Sequence, residues 1–147
     1  MALPTPALGL VVHYGFLWAG PGRKAPPDAG KDRPCLIVDL ETIAESALSG
    51  RTVVRVTYLP ISHAQPRPTE SAIPVPPRVA RHLGLTAERS WLYTSYAVED
   101  DWPFDLARVP GAADRFDYGF VPPRFFEEVA AEFRRYLTDY PGFVHRP

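Results

Sequence analysis

The sequence predicts a mainly β domain of the α+β class: a small curved sheet or barrel with short helices and a C-terminal amphipathic helix packed on it. Three observations predict this. Proline accounts for 18 of 147 residues, about 12% where roughly 5% is usual. A residue that lacks an N–H and clashes with the preceding turn works against long helices. The apolar runs are short, rich in β-branched and aromatic residues, and separated by Gly- and Pro-bearing stretches, as strands are. Helical periodicity is sustained over a long segment only once, after Pro122-Pro123, and a lone amphipathic helix must lay its apolar face on a sheet.

A chain of 147 residues suits one domain, taken as residues 1–147 with a core over 9–138 and loose ends at 1–8 and 139–147. Hydrophobic residues at 46% and charged residues at 22% exclude a wholly disordered chain. No apolar stretch approaches the roughly 20 residues that span a bilayer. The first residues lack the basic-then-apolar order of a signal peptide, so the expected location is the cytoplasm. Cys35 is the only cysteine; it excludes an internal disulfide, and no Cys/His spacing suits zinc. Cys35 sits in an apolar run and reads as a core thiol. No metal or cofactor is expected.

Net charge is −1, which excludes a global basic field for nucleic acid. The charge is segregated all the same. Residues 51–89 carry six Arg against two Glu, and residues 90–120 carry two Arg against six acids. That is either ordinary surface scatter or a basic face that meets an anion.

The elements follow in order. Gly9 to Trp18 reads as a strand and Gly20 to Gly30 as a loop. Arg33 to Leu40 is a strand whose proline marks its start. Glu41 to Ser49 reads as a short helix closed by Gly50. Arg51 to Ile61 alternates as a long strand, residues 63–69 form a loop, and Ser71 to Val75 is a weak strand. Pro76-Pro77 opens a short helix with Val79 and Leu83 on one face, stopped by Gly84 with Leu85 as its apolar contact. Trp91 to Val98 is another strand, and residues 99–121 are acidic and irregular. After Pro122-Pro123, Phe126, Val129, Phe133 and Leu137 share one helix face, with the end near Thr138. The last residues, Phe143 to Pro147, read as a loose tail. The tally is about five strands, two or three helices and one core.

The pieces and their order resemble the MazF/PemK toxins of toxin–antitoxin systems, over roughly residues 9–138. The anchors are a strand beginning at Gly9, a glycine-bearing loop, and Lys31-Asp32-Arg33-Pro34 running into Cys35-Leu36-Ile37-Val38. A strand ending Leu59-Pro60-Ile61-Ser62 follows. Arg81-His82-Leu83-Gly84-Leu85, Ser90-Trp91, Asp117-Tyr118-Gly119-Phe120 and Pro122-Pro123 resemble a proline-rich, PemK-like branch. The resemblance implies an SH3-like β-barrel with a C-terminal helix, usually a homodimer. It implies a metal-independent, sequence-selective endoribonuclease on single-stranded RNA, and a cognate antitoxin protein that covers the RNA groove.

RNA self-cleavage needs removal of the 2′-hydroxyl proton, stabilisation of charge on phosphorus, and a proton for the leaving oxygen. Arg33 matches the family arginine that bonds phosphate oxygens; its plain reading is a surface arginine at a strand start. Ser62 falls where the family has a catalytic threonine and keeps the hydroxyl; its plain reading is a turn residue. His63 is of the residue type that most often serves as general acid or base, yet shares a site with Ser62 only if the strand has ended there. His13, His82 and His145 read as structural. Trp18, Arg23, Lys24 and Lys31, around the first loop, are the candidates for holding RNA by stacking and charge.

Two departures stand out. The first loop reads Pro26-Pro27-Asp28 and the strand at 91–95 reads Trp-Leu-Tyr-Thr-Ser, where many relatives carry acids or an arginine. Asp28 or Glu99 is the available substitute. The departures motivate an alternative, a non-catalytic RNA- or protein-binding module that keeps the barrel. A third reading, a gyrase-directed toxin of the CcdB type, lacks its C-terminal tryptophan motif.

Overall fold

The computed structural model describes residues 3–15, 32–44, 48, 50–86, 88–112, 114–140 and 144–145. Among these residues it is mainly β, with eight strands and two helices. In chain order they are β1 (Leu10–Tyr14), β2 (Arg33–Ala44), β3 (Thr52–Ser62), β4 (Ala72–Pro74), α1 (Pro77–Leu83), β5 (Trp91–Tyr93), β6 (Ala97–Asp101), β7 (Asp117–Phe120), α2 (Pro123–Asp139) and β8 (Val144–His145).

The hydrogen-bonded path runs β4-β5-β3-β2-β1-β7. Strand β3 is the hub. One edge pairs with β2 from Cys35↔Pro60 to Ala44↔Thr52. The other edge is shared, with β6 against Arg55 to Tyr58 and β5 against Ile61 and Ser62. β4 and β7 stand at the two ends of the path, and no ladder joins them among the described residues, so the sheet is not closed into a barrel.

Both faces of the sheet are covered, which is why five consecutive residues of β1 are buried where simple alternation would expose every second one. On one face Val11, Leu36, Leu59 and Ile61 meet Val79 and Leu83 of α1 and Phe125, Val129 and Phe133 of α2. On the other, Val12, Cys35, Ile37 and Tyr58 meet Tyr93, Tyr96 and Val98. The expected single core is therefore two clusters, one per face. The expected helix face is slightly rotated: Phe125, Val129, Ala130, Phe133 and Tyr136 are the buried positions, while Phe126 and Leu137 pack at the margin.

Several expectations need correction. Residues Glu41 to Ala44 are not helical: they continue β2, because Thr42 and Ile43 are β-branched and pair with Val54 and Val53. Trp91 to Val98 is two strands, interrupted where Thr94 and Ser95 turn to bond the backbone of Ser71. The acidic segment holds the end of β6 and all of β7. Val144 and His145, expected in a loose tail, pair in parallel with Ala97 and Val98. The first strand is described only through Tyr14.

The short helix behaves as its sequence predicts. Pro77 is at its first turn, and Gly84 adopts the left-handed conformation at φ 71°, which a residue without Cβ reaches at no steric cost. The Leu85 N–H then bonds the Ala80 carbonyl at 2.9 Å and Leu85 packs against the core, a stop that aims Leu85 and Thr86 at the ends of β1, β2 and β3.

Candidate functional site

At those strand ends lies a cleft of about 410 Å³. Its walls are His13 from β1, Asp32 just before β2, Arg33 and Pro34 from its start, Ile61 and Ser62 from the end of β3, and His63 just after it. Gly84 to Thr86, Ser90, Val109, Pro110 and Tyr118 complete it. Three of the residues singled out from sequence, Arg33, Ser62 and His63, thus border one cavity. Trp18, Arg23, Lys24 and Lys31 lie outside the described residues, as does Asp28.

Strand register decides which side chains share a face. Tyr14 opposes Arg33 and His13 opposes Pro34 across β1 and β2. Opposed residues point the same way, so Arg33 belongs to the face of Tyr14 and Cys35, and His13 to the face of Pro34 and Leu36. Ser62 stands two residues beyond Pro60, the partner of Cys35, which puts it on the face of Arg33. The strands run out at this end, so side chains of both faces border the cleft. Arg33 is 4% exposed and Ser62 3%; a ligand reaches them only through the cleft. The Ser62 hydroxyl accepts the Ala64 N–H at 3.0 Å, and Tyr93 donates its phenol proton to the Ala64 carbonyl, which fixes the turn that follows β3.

The two cleft histidines differ. β3 ends at Ser62, so His63 is free of strand alternation, but its ring is tied at both nitrogens. Nδ1 lies 2.9 Å from the Arg89 carbonyl and Nε2 3.2 Å from the Thr86 hydroxyl. A carbonyl only accepts, so Nδ1 carries a hydrogen. His63 therefore braces the segment after α1 against the end of β3.

His13, read from sequence as structural, is held at one nitrogen. Nδ1 lies 2.8 Å from the Tyr118 hydroxyl, and the two rings are tilted with centroids 5.9 Å apart. Burial holds the His13 imidazolium below its ordinary pKa, and the charge of Asp32 opposes that shift. Burial, with a smaller contribution from Cys35, pushes the Tyr118 phenol up to about 12. The only sequence sign of His13 is a polar residue in an otherwise apolar strand; its partner is 105 residues away.

Asp32 is the one carboxylate among the described lining residues. Glu99, the other acid considered from sequence, is elsewhere: its carboxylate lies 3.8 Å from Arg55 Nε, beside the Arg55–Asp101 pair at 3.0 Å. Cys35 is fully buried and burial raises its thiol pKa, so it is held as a neutral core thiol. Among the described residues, no three His, Cys, Asp or Glu side chains gather as a metal-binding group, and no helix is long and apolar enough to cross a membrane.

A second cavity, of about 560 Å³, adjoins the first and shares Leu85, Thr86 and Ser90 with it. It runs along α1 past Arg81 and Arg89. The Arg89 guanidinium carbon lies 5.2 Å from the centre of the Trp91 ring. Searches against protein-family models, curated proteins and solved structures find no match to this chain.

Proposed function

We propose that this chain is a metal-independent endoribonuclease that cleaves single-stranded RNA, the toxin member of a toxin–antitoxin pair. In this reading the open sheet is the framework of an SH3-like barrel. The chain works in the cytoplasm as a homodimer, and a cognate antitoxin protein restrains it. The observation that supports the reading is the meeting of Arg33 and Ser62 at the ends of adjacent strands, both bordering one cleft. A guanidinium and a hydroxyl are the groups that bond the oxygens of a phosphate whose charge grows as the 2′-oxygen attacks. Trp18, Arg23, Lys24 and Lys31 are assigned to holding the strand.

The test is incubation of the purified chain with a long single-stranded RNA, with and without chelator, followed by mapping of cut sites. Discrete cuts that persist in chelator and vanish with Arg33→Ala support the reading. Equal, background-level cutting by both proteins sinks it. The position of Glu99, engaged with Arg55 away from the cleft, favours the second reading, a module that binds RNA or protein without turnover. Detectable cleavage excludes that one.

A further inference from the structure

A ribonuclease site needs a group to take the 2′-hydroxyl proton, and the residues bordering this cleft offer few. Asp32 is the only carboxylate described there. His63 has both ring nitrogens engaged, by the Arg89 carbonyl and the Thr86 hydroxyl. His13 borders the same cleft with Nδ1 engaged by Tyr118 and Nε2 as its remaining ring nitrogen. An imidazole fixed through one nitrogen and open at the other is the usual arrangement of a general base with a positioning partner.

We infer that His13 is the general base of this site and that Tyr118 positions it, an assignment that rests on the ribonuclease reading above. In this assignment the Tyr118 hydroxyl oxygen accepts the hydrogen on Nδ1, the tautomer that leaves the Nε2 lone pair for the substrate. The proton of the 2′-hydroxyl passes to Nε2 as the 2′-oxygen bonds to phosphorus. The bond from phosphorus to the 5′-oxygen breaks, and that oxygen takes a proton from water. The hydroxide left behind recovers the proton from the imidazolium. The products are a 2′,3′-cyclic phosphate and a 5′-hydroxyl, with no oxidant, reductant or metal consumed.

The charged and titratable groups that border the cleft with His13 are Asp32 just before β2, Arg33 at its start, Tyr118 from β7 and His63 just after β3. Burial keeps His13 neutral to lower pH than a solvated histidine, and Asp32 works in the opposite direction. The base form is therefore present at neutral pH, and turnover falls as pH drops below the ordinary histidine range.

The experiment measures single-turnover cleavage of a defined single-stranded RNA in chelator from pH 5 to 8.5. It compares wild type, His13→Ala, Tyr118→Phe and, as control, His82→Gln on the exposed side of α1. Expected are a loss of about 100-fold or more in kcat for His13→Ala and its partial rescue by added imidazole. KM should be little changed, and the acid limb should move to lower pH in Tyr118→Phe. Thermal unfolding reports whether each variant is folded; if His13→Ala is not, the displaced limb in Tyr118→Phe decides. The inference is overturned if folded His13→Ala cuts within threefold of wild type, if imidazole restores nothing, or if the limb of Tyr118→Phe coincides with wild type. Failure of the ribonuclease reading looks different: wild type itself leaves the RNA intact.

Discussion

The Tyr118 hydroxyl lies 2.8 Å from Nδ1 of His13, joining β1 to β7 at the mouth of the cleft across 105 residues of chain. The burial of His13 has a consequence for stability that does not depend on any activity. His13 is held neutral by burial, so the unfolded chain binds a proton more readily than the folded one. Stability from this group is fully present above the unfolded value of about 6.5 and is lost as pH falls through the lower, folded value. Chemical denaturation at pH 7.5 and pH 5 should show wild type losing more stability on acidification than His13→Gln does. Equal losses in the two proteins would remove His13 from the acid response.

Replacement of Ser62 separates chemistry from folding. The Ser62 oxygen accepts the Ala64 N–H, so Ser62→Ala costs about 0.5–1.5 kcal/mol of stability through that bond. Ser62→Thr keeps an oxygen in place. On the proposed function, Ser62→Ala lowers kcat by roughly 10- to 1000-fold, bounded by the loss of one oxyanion donor. Ser62→Thr retains most of the rate. If both variants cut RNA at the wild-type rate, the hydroxyl has no part in the chemistry.

Asp32 is the partner that raises the His13 pKa. Asp32→Asn removes its charge and lowers that pKa further, so the acid limb of the rate profile should shift to lower pH with the plateau retained. The check is the same single-turnover assay across pH, and a limb that moves upward contradicts the assignment.

What was legible in the sequence is what is local. Pro77 and Gly84 bound α1 because each acts on its own φ angle, and the spacing of Val129 and Phe133 marks α2 without reference to the sheet. Arg33 and Ser62 were legible as strand-end residues, and adjacent pairing of β2 with β3 then brings them together. The misreadings are tertiary. Glu41 to Ala44 favour a helix by composition but extend a ladder whose other half is Thr52 to Arg55. The break at Thr94 and Ser95 depends on Ser71, more than twenty residues earlier, through bonds to its carbonyl and hydroxyl. The contact of His13 with Tyr118 is likewise tertiary, since nothing near His13 in sequence tells of a partner 105 residues away.

The second cavity carries the last prediction. Arg81 and Arg89 border it, together with Glu88, and it opens beside the first through Leu85, Thr86 and Ser90. On the proposed function, a single strand of RNA with its scissile phosphate at Arg33 would extend into this neighbouring cavity past the two guanidiniums, with Trp91 beside Arg89 as a stacking surface. Phosphate contacts made there act on affinity and leave the reacting phosphorus alone. The double variant Arg81→Ala, Arg89→Ala should therefore raise KM and hold kcat. Each lost phosphate contact should also lower the slope of log affinity against log salt by about 0.7. Single-strand binding measured from 50 to 300 mM salt reads that slope. An unchanged slope with unchanged KM would mean that the strand leaves the cleft by another route.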